Sequence, residues 1–488
     1  MQLTAAPDAI DGPNVGVPRA AASDWKIIAT LAFLAIAGTG SSAIIYAATP
    51  MFIKVFAEPK IIGWMSSIYF IVGAIGAGLC GGIGDLYGRR ATMLWILALV
   101  SIAGIVAGSM SNPLYVVAAH AVQGLGVAAP TLNMGLIREH IAPRRVPLAI
   151  AIVTTATTAT AGLFFMAAGY IMDHSSWRYI FWCGPFLLVP AMIALLLVVP
   201  RSAPSNKPRS IPVVNGLLFG MSALLLMVGV GELSQGGFAY RPLGILGLGI
   251  LFMIGWIVNS LKIPVPMVNV RMLGQRGMAG IMVVYALLSL TMFHFGHVLL
   301  FVGKAASHDG YGAGLSGTAI ATILAPQGFI GLLIGPFTGV LVQRYGHFKV
   351  FSVVLAFSCL PYLTLLLVSH SQITLLAVVL IAGMTGGALG PAFRIALQEE
   401  VDASQASSAM GLAELLRALC MGLGAQVVAS ALVHGQGAAG HAAAGGPPLD
   451  PTRFTLLIGG FVVLMASSAV VYFIFGSRQG KIGDSPHA

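Results

Sequence analysis

The sequence predicts an all-α polytopic membrane protein, and three observations support that prediction. Hydrophobic residues make up 57% of the chain and charged residues only 8%, whereas soluble domains carry roughly a quarter charged residues. The apolar residues form runs of about 20 positions, the length that a helix needs to cross a ~30 Å hydrocarbon layer. A short charged turn occurs twice along the chain. We therefore expect a membrane protein built from two related halves.

Fourteen apolar runs are long enough to be membrane-spanning helices. They lie at about residues 25–48, 61–83, 92–110, 114–137, 147–171, 179–199, 212–231, 242–260, 277–302, 316–341, 349–368, 372–396, 407–432 and 453–475.

The distribution of Lys and Arg predicts the orientation of these spans. With the N-terminus inside, eighteen Lys and Arg residues fall on the cytoplasmic side, six fall on the outer side, and Arg417 lies within a span. Basic residues are enriched in cytoplasmic loops of membrane proteins. We therefore expect both termini in the cytoplasm.

The net charge of +10 is spread over many loops and not gathered on one face, so we expect no nucleic-acid partner.

The charged turn at residues 81–93 recurs at residues 339–349. The matched positions are Gly81 and Gly339, Tyr87 and Tyr345, Gly88 and Gly346, and Arg89 and His347, all at one offset of 258 residues (339 − 81). The first turn follows span 2 and the second follows span 10.

The predicted organisation is a cytoplasmic tail at 1–24, a six-helix bundle at 25–199, two inserted helices at 212–260, a second six-helix bundle at 277–475 and a tail at 476–488.

The turn Gly81-x-x-x-Asp85-x-x-Gly88-Arg89-Arg90 resembles the signature turn of the major facilitator superfamily. Further motifs are similar to those of its fourteen-span drug:proton antiporter branch. In chain order these motifs are Ala48-Thr49-Pro50, Gln123-Gly124-x-Gly126, Ser176-Trp177-Arg178-Tyr179-Ile180-Phe181, Pro266-Met267-Val268-Asn269-Val270-Arg271, Gly312-Ala313-Gly314-Leu315-Ser316-Gly317, Gly386-Gly387-x-x-Gly390-Pro391 and Arg417. The resemblance implies two six-helix bundles about a pseudo-two-fold axis along the membrane normal, plus two additional helices.

The resemblance also implies secondary active transport of small organic molecules, with protons as the coupling ion. We expect efflux of lipophilic or amphiphilic compounds through a cavity that opens alternately to each side. Three departures from the branch keep an alternative open, a proton-independent facilitator or importer of the same fold. Ser41 stands where an acidic residue is usual, His120 replaces an arginine, and Phe164-Phe165 replaces a glycine-proline pair.

The resemblance further implies that the charged turn and its repeat form a cytoplasmic gate. The gate candidates are Gly81, Asp85, Gly88, Arg89, Arg90, Gln343, Arg344 and Gly346. A simple topology anchor is the alternative. An acid inside the basic cluster favours the gate, because an anchor that obeys the positive-inside rule does not require Asp85.

Three ionisable residues inside the spans are proton-coupling candidates. Glu414 and Arg417 are three residues apart on span 13 and therefore face the same side. They form either a static ion pair or a pair that opens when Glu414 takes a proton. His120 is either a proton carrier or a neutral histidine bonded to a neighbouring helix.

The remaining polar side chains within the spans are candidates for orienting a substrate in the cavity. They are Tyr46, Gln123, Asn133, Thr291, His294, His297 and Gln327. A remote alternative is a membrane haem or metal redox protein, in which His120, His294 and His297 would have to converge. Two histidines on one helix cannot supply both faces of a haem, so we expect no cofactor and no metal site.

Other classes of protein fit the sequence poorly. It contains no Gly-x-x-x-x-Gly-Lys phosphate-binding loop and no cytoplasmic loop long enough for a catalytic domain. We therefore expect a transporter that is not an enzyme, monomeric, and embedded by many spans in the lipid bilayer of the plasma membrane, the inner membrane if the source is bacterial.

Overall fold

A computed structural model describes most of the chain. The described residues are 21–56, 59–202, 212–236, 239–264, 266–304, 313–367, 371–401, 406–433 and 451–476. The two tails predicted at 1–24 and 476–488 lie almost entirely outside these ranges.

The described residues fold into α-helices joined by short turns. The first half contains α1 (Ala21–Ala47), α2 (Thr49–Phe56), α3 (Pro59–Tyr87), α4 (Arg89–Ser109), α5 (Pro113–Gln123), α6 (Ala129–His140), α7 (Val146–His174) and α8 (Arg178–Val198). Two further helices follow, α9 (Val213–Gly236) and α10 (Tyr240–Lys262). The second half contains α11 (Arg276–Thr291), α12 (Phe295–Lys304), α13 (Gly317–Tyr345), α14 (His347–Phe357), α15 (Leu360–Leu367), α16 (Gln372–Glu399), α17 (Ala406–Val433) and α18 (Pro451–Gly476).

Each of the fourteen predicted spans coincides with a helix or with two consecutive helices. Span 4 is interrupted by a 3-10 turn at Gly124–Ala128, and span 9 by another at Met292–His294. Among the described residues, twelve helical segments are long and apolar enough to cross a membrane. The helices α3 and α7, each of 29 residues, account for the other two predicted spans. The described part of the protein is thus all-helical and polytopic, and the number fourteen stays a prediction.

The two halves meet along two crosswise helix pairs. The second long helix of the first half, α3, packs on α17, and α7 packs on α13 in the same way on the other side. Within the α3–α17 pair, the buried Ser67 hydroxyl donates to the Gly422 carbonyl oxygen at 3.0 Å and to Gln426 Oε1 at 3.1 Å. Within the α7–α13 pair, a Cβ placed on Gly169 would lie only 2.6 Å from the Gly317 carbonyl oxygen. Glycine therefore lets these two backbones approach each other.

The extra helices α9 and α10 pack on each other, and α9 also packs against α3 and α17. A buried polar network holds the pair together at Asn215. Its side-chain amide donates to Ser260 Oγ at 2.7 Å, and its carbonyl oxygen accepts from Trp256 Nε1 at 3.1 Å. Because a polar group in a membrane interior is costly without a partner, this network fixes the two helices side by side.

The repeated turn has the same backbone conformation in both halves. Gly88 joins α3 to α4 with φ 88° and ψ 131°, and Gly346 joins α13 to α14 with φ 83° and ψ 151°. Side chains with a Cβ rarely adopt such a positive φ. We call the face of the helical body that carries Gly88 and Gly346 the turn face, and the face opposite it the far face.

Replacing these glycines separates backbone strain from steric clash. Gly346→Ala has no atom within 4 Å of the new Cβ, so we expect only strain, a loss of about 1–3 kcal/mol in the free energy of unfolding. Gly88→Ala also places a Cβ 2.8 Å from the Ser202 carbonyl oxygen, so we expect a larger loss in the free energy of unfolding. Thermal unfolding of the purified variants in detergent measures both. Gly339→Ala, helical and equally uncrowded, is the control. A Gly346→Ala protein as stable as the parent would contradict the strain argument.

Candidate substrate cavity and its gates

A cavity of about 1460 Å³ lies between the two halves. Its wall includes Asp85, Arg89 and Arg138 near the turn face and reaches Phe52 and Gly162 at its deep end. Toward the far face the cavity ends at buried side chains of α1 and α2, among them Phe52. The cavity therefore opens on the turn face and is closed toward the far face.

An aromatic contact between the halves closes the deep end of the cavity. The ring of Tyr46 on α1 stacks on His297 of α12 with a centroid distance of 3.3 Å. The Tyr46 hydroxyl donates to the Phe293 carbonyl oxygen at 2.7 Å. The 3-10 turn between α11 and α12 makes that carbonyl available, because it interrupts the regular helical hydrogen bonds.

At the far face, the halves are joined by an aspartate that caps a helix of the other half. Asp173, near the end of α7, accepts hydrogen bonds from the backbone N–H groups of Gly317 and Thr318 at 2.9 and 2.6 Å, and from the Thr318 hydroxyl at 2.7 Å. Ser316 Oγ accepts from the next N–H, that of Ala319, at 3.1 Å. The first turn of a helix has free N–H groups and a partial positive charge, so a carboxylate is favourable there. We call this contact the far-face clasp.

Two basic gate candidates of the first half, Arg89 and Arg90, bind partners within that half. Arg89 donates to Asp85 Oδ1 at 3.1 Å and to the Gly135 carbonyl oxygen at 3.3 Å. The Arg90 guanidinium donates to the Leu196 carbonyl oxygen at 2.6 Å. Gly81 lies in the last turns of α3, just before this cluster.

The gate candidates of the second half lie at the end of α13. Gln343 and Arg344 are exposed, and the Arg344 guanidinium lies over the Tyr345 ring at 5.4 Å. Asp85 and Arg89 line the open cavity, whereas Gln343 and Arg344 do not.

All three proton-coupling candidates lie on the cavity wall. Arg417 Nε donates to Glu414 Oε2 at 2.6 Å, and the Arg417 guanidinium lies 5.7 Å from the Phe293 ring. His120 is buried, with its Nδ1 2.9 Å from Gln123 Oε1 and its ring stacked on Tyr69 at 5.3 Å.

The seven substrate-cavity candidates divide into two groups. Four of them line the cavity: Tyr46, Asn133, His297 and Gln327. The other three are buried in packing behind its wall: Gln123, Thr291 and His294. Thr291 is the last residue of α11; its carbonyl oxygen accepts from the Tyr362 hydroxyl at 2.8 Å, and its hydroxyl donates to the Leu287 carbonyl oxygen at 2.8 Å.

The positions at which the chain departs from the antiporter branch have structural explanations. Ser41 is buried against Gly184 on α8 and does not line the large cavity. Phe164 packs on α1 at Gly40, which has no side chain to obstruct the ring. Phe165 lines the cavity.

Sequence reasoning missed several residues of this site. The sequence signal for Asp173 was weak: it is an acidic residue in the last turn of α7, the helix of span 5, and Ser316-Gly317 at the start of span 10 supply the helix N-terminus that it caps. Arg138 and Arg394 were counted only as basic residues of the turn face, yet both line the cavity. Within the described residues, no group of three or more His, Cys, Asp or Glu side chains is placed to hold a metal ion.

Comparison with known proteins gives a family and a fold. The family model described as Major Facilitator Superfamily matches residues 30–425. Over 302 residues the chain is 28% identical to the uridine/deoxyuridine transporter of Lactococcus lactis subsp. cremoris (strain MG1363), covering 59% of this chain and 61% of that protein. Over 218 residues it is 30% identical to the lincomycin resistance protein of Streptomyces lincolnensis, covering 44% of each chain. The chain thus spans about half the length of these curated relatives.

Solved structures with the same fold cover nearly the whole chain. A peptide transporter POT in complex with sulfate matches with a TM-score of 0.68 at 15% identity, over 94% of this chain and 95% of that one. A nucleoside transporter matches with a TM-score of 0.62 at 14% identity, over 92% of this chain and 100% of that one. At these identities the likeness concerns the fold alone.

Removing the far-face clasp is expected to shift the equilibrium toward states that are open at the far face. Asp173→Ala removes the hydrogen bonds to α13, and we expect a loss of about 1–2 kcal/mol in the stability of far-face closure, a five- to thirtyfold change in population. Spin labels at Leu114→Cys and Ile373→Cys, both exposed near the far face, report the change as a longer-distance fraction in pulsed dipolar spectroscopy. His174→Ala, whose ring contacts Tyr170 on its own helix, is the matched control. Equal distance distributions in Asp173→Ala and the parent would refute the clasp.

Proposed function

This chain belongs to the major facilitator superfamily, and from that premise we propose that it is a secondary transporter that exports lipophilic or amphiphilic compounds in exchange for protons. The protein is an integral, multi-pass membrane protein. The observation that carries the proposal is a large cavity between the halves that is open on one face only and has an ion pair in its wall. We take the turn face to be cytoplasmic, because basic residues are concentrated there.

The transport cycle we propose rocks the two halves about the cavity. A substrate enters from the turn face and contacts the apolar wall, to which Met, Phe and Tyr side chains contribute. Flexible methionines suit such adaptable binding. The far-face clasp then opens while Asp85, Arg89 and Arg90 close against the end of α13, which exposes the substrate to the far side.

Glu414 is the first proton carrier in this scheme. A proton on its carboxylate removes half of the ion pair with Arg417 and leaves an arginine free in the cavity wall. Because breaking such a pair is costly unless the charge is neutralised, protonation couples to rearrangement. His120 is the second carrier, since its ring lines the cavity and holds Gln123 through one nitrogen.

A proton-independent facilitator or importer is the second candidate. One observation favours it: the position that is acidic in the antiporter branch is Ser41 here, and its side chain faces α8. The uridine/deoxyuridine transporter among the relatives is compatible with this candidate, and the lincomycin resistance protein with export.

Removing the Glu414 carboxyl tests proton coupling. In inside-out vesicles, Glu414→Gln is expected to abolish uptake driven by an imposed pH gradient while preserving substrate exchange at equal pH. Glu414→Asp keeps the carboxyl and is expected to restore part of the coupling. Glu399→Gln, an exposed carboxylate outside the cavity, is the control. Flux in the parent that ignores the pH gradient would establish the facilitator instead.

The role of His120 is tested by the same assay. His120→Ala removes the imidazole from the cavity wall, and we expect substrate-driven proton movement to slow markedly, because no titratable group remains beside Gln123. Proton movement identical to that of the parent would exclude His120 as an essential carrier. Binding of substrate at equilibrium, measured alongside, separates a lost carrier from a lost binding site.

A further inference from the structure

The charges on the cavity wall do not balance. Among the described residues that line it, five are arginines and two are carboxylates, namely Arg89, Arg138, Arg271, Arg394, Arg417, Asp85 and Glu414. Both carboxylates already have an arginine partner, at 3.1 Å in the Asp85–Arg89 pair and 2.6 Å in the Glu414–Arg417 pair. The other three guanidinium groups of the wall have no carboxylate partner among the described residues, whether on the wall or behind it.

Arg394 is the unpaired arginine best placed to meet a substrate. It lies five residues before the end of α16 at Glu399, about 7.5 Å along the helix from that end at 1.5 Å per residue. Its neighbour Phe393 stacks on Tyr285 of α11, with ring centroids 3.7 Å apart and planes 8° apart. Tyr285 also lies within electrostatic range of Arg394, Glu414 and Arg417. An unpaired cation, an aromatic pair and the ion pair thus share one side of the cavity.

The positive-inside rule does not account for this placement. That rule requires basic residues in cytoplasmic loops and is satisfied by side chains that point to lipid headgroups or water. Arg344 fits it, because its guanidinium lies over Tyr345 and outside the cavity. Arg394 and Arg138 instead face the cavity, one from each half. Clefts lined by one sign of charge raise the local concentration of ligands with the opposite charge.

We propose that the cavity takes amphiphilic organic anions, compounds with an apolar ring system and a carboxylate or similar anionic group. Arg394 binds the anionic group, since a guanidinium offers a carboxylate two parallel hydrogen bonds. The rings of Tyr285 and Phe393, with the methionines of the wall, contact the apolar body. Arg138 attracts the anion from the other half. The inference rests on the proposed transport through this cavity and names its substrate class.

Three probes with one ring system and different charge test the substrate class. Naphthoate, naphthamide and naphthylmethylammonium share the naphthalene body and carry a negative, zero and positive charge. Their dissociation constants are measured by titration of the full-length protein in lipid nanodiscs, with empty nanodiscs subtracted. We expect naphthoate to bind about tenfold more tightly than the cation, which corresponds to roughly 1.4 kcal/mol. Higher salt should weaken the binding of naphthoate more than that of naphthamide, because the arginine is reached by solvent.

Substitutions of single arginines test whether Arg394 is the source of the preference for naphthoate. Arg394→Gln should abolish the preference for naphthoate, and Arg394→Lys should retain most of it. Arg276→Gln removes an exposed arginine from the same face but not from the cavity, so the preference should be unchanged. Equal thermal unfolding midpoints for the variants show that loss of folding is not the cause.

The anion proposal is overturned by equal binding of the three probes, by tighter binding of the cation, by binding of none, or by an undiminished preference in Arg394→Gln. Resistance of cells that express the chain to a panel of lipophilic compounds is measured separately. Resistance without an anion preference would retain the export function and reject this inference. An anion preference without any substrate flux in proteoliposomes would reject transport and retain the binding site.

Discussion

The crosswise packing of α3 on α17 and of α7 on α13 is the contact on which the rest of the structure depends. In each pair the second long helix of one half meets the fifth of the other, as a two-fold relation between halves requires. Because these two pairs alone, among the described helices, form long contacts across the centre, a cavity remains between them. A small rotation about the two pairs would open one face and close the other while each half keeps its internal packing.

The two ends of the cavity are held by different chemistry. At the far face a carboxylate caps a helix of the opposite half, a contact that needs both the charge of Asp173 and the free N–H groups of α13. At the turn face the ion pair of Asp85 and Arg89 lies within one half and leaves the cavity open. The difference explains why this conformation is closed on one side only. Each contact is strong enough to hold its state and weak enough to break, because a few kcal/mol separate such states.

The sequence was most informative where one local rule decides the structure. Apolar length places all fourteen predicted segments on helices, and the repeated charged turn marks the two places where Gly88 and Gly346 adopt a positive φ. Helix faces were harder to predict, because the 3-10 turns at Gly124–Ala128 and Met292–His294 change the phase of the helix. Thr291 and His294 are buried in packing behind the wall, whereas Phe293 and Gly296 of the same segment line the cavity. The unpaired state of Arg394 depends on which side chains of other helices approach it, and no local pattern records that.

The charge of the substrate and the mode of coupling are not independent. An anion beside Arg394 is repelled by the ionised Glu414, and it binds more tightly once Glu414 takes a proton and releases Arg417. Protons and anions then bind together at this site, whereas exchange requires that one weakens the binding of the other. Protonation of Glu414 does not strengthen the binding of a cationic or neutral substrate in this way, so such a substrate is compatible with exchange for protons. For an anion, however, a negative-inside membrane potential itself drives export, by roughly 2.3 kcal/mol per 100 mV, or about fiftyfold in concentration. An organic anion as substrate therefore favours a facilitator driven by the membrane potential, unless the competition with protons takes place at His120 of the first half.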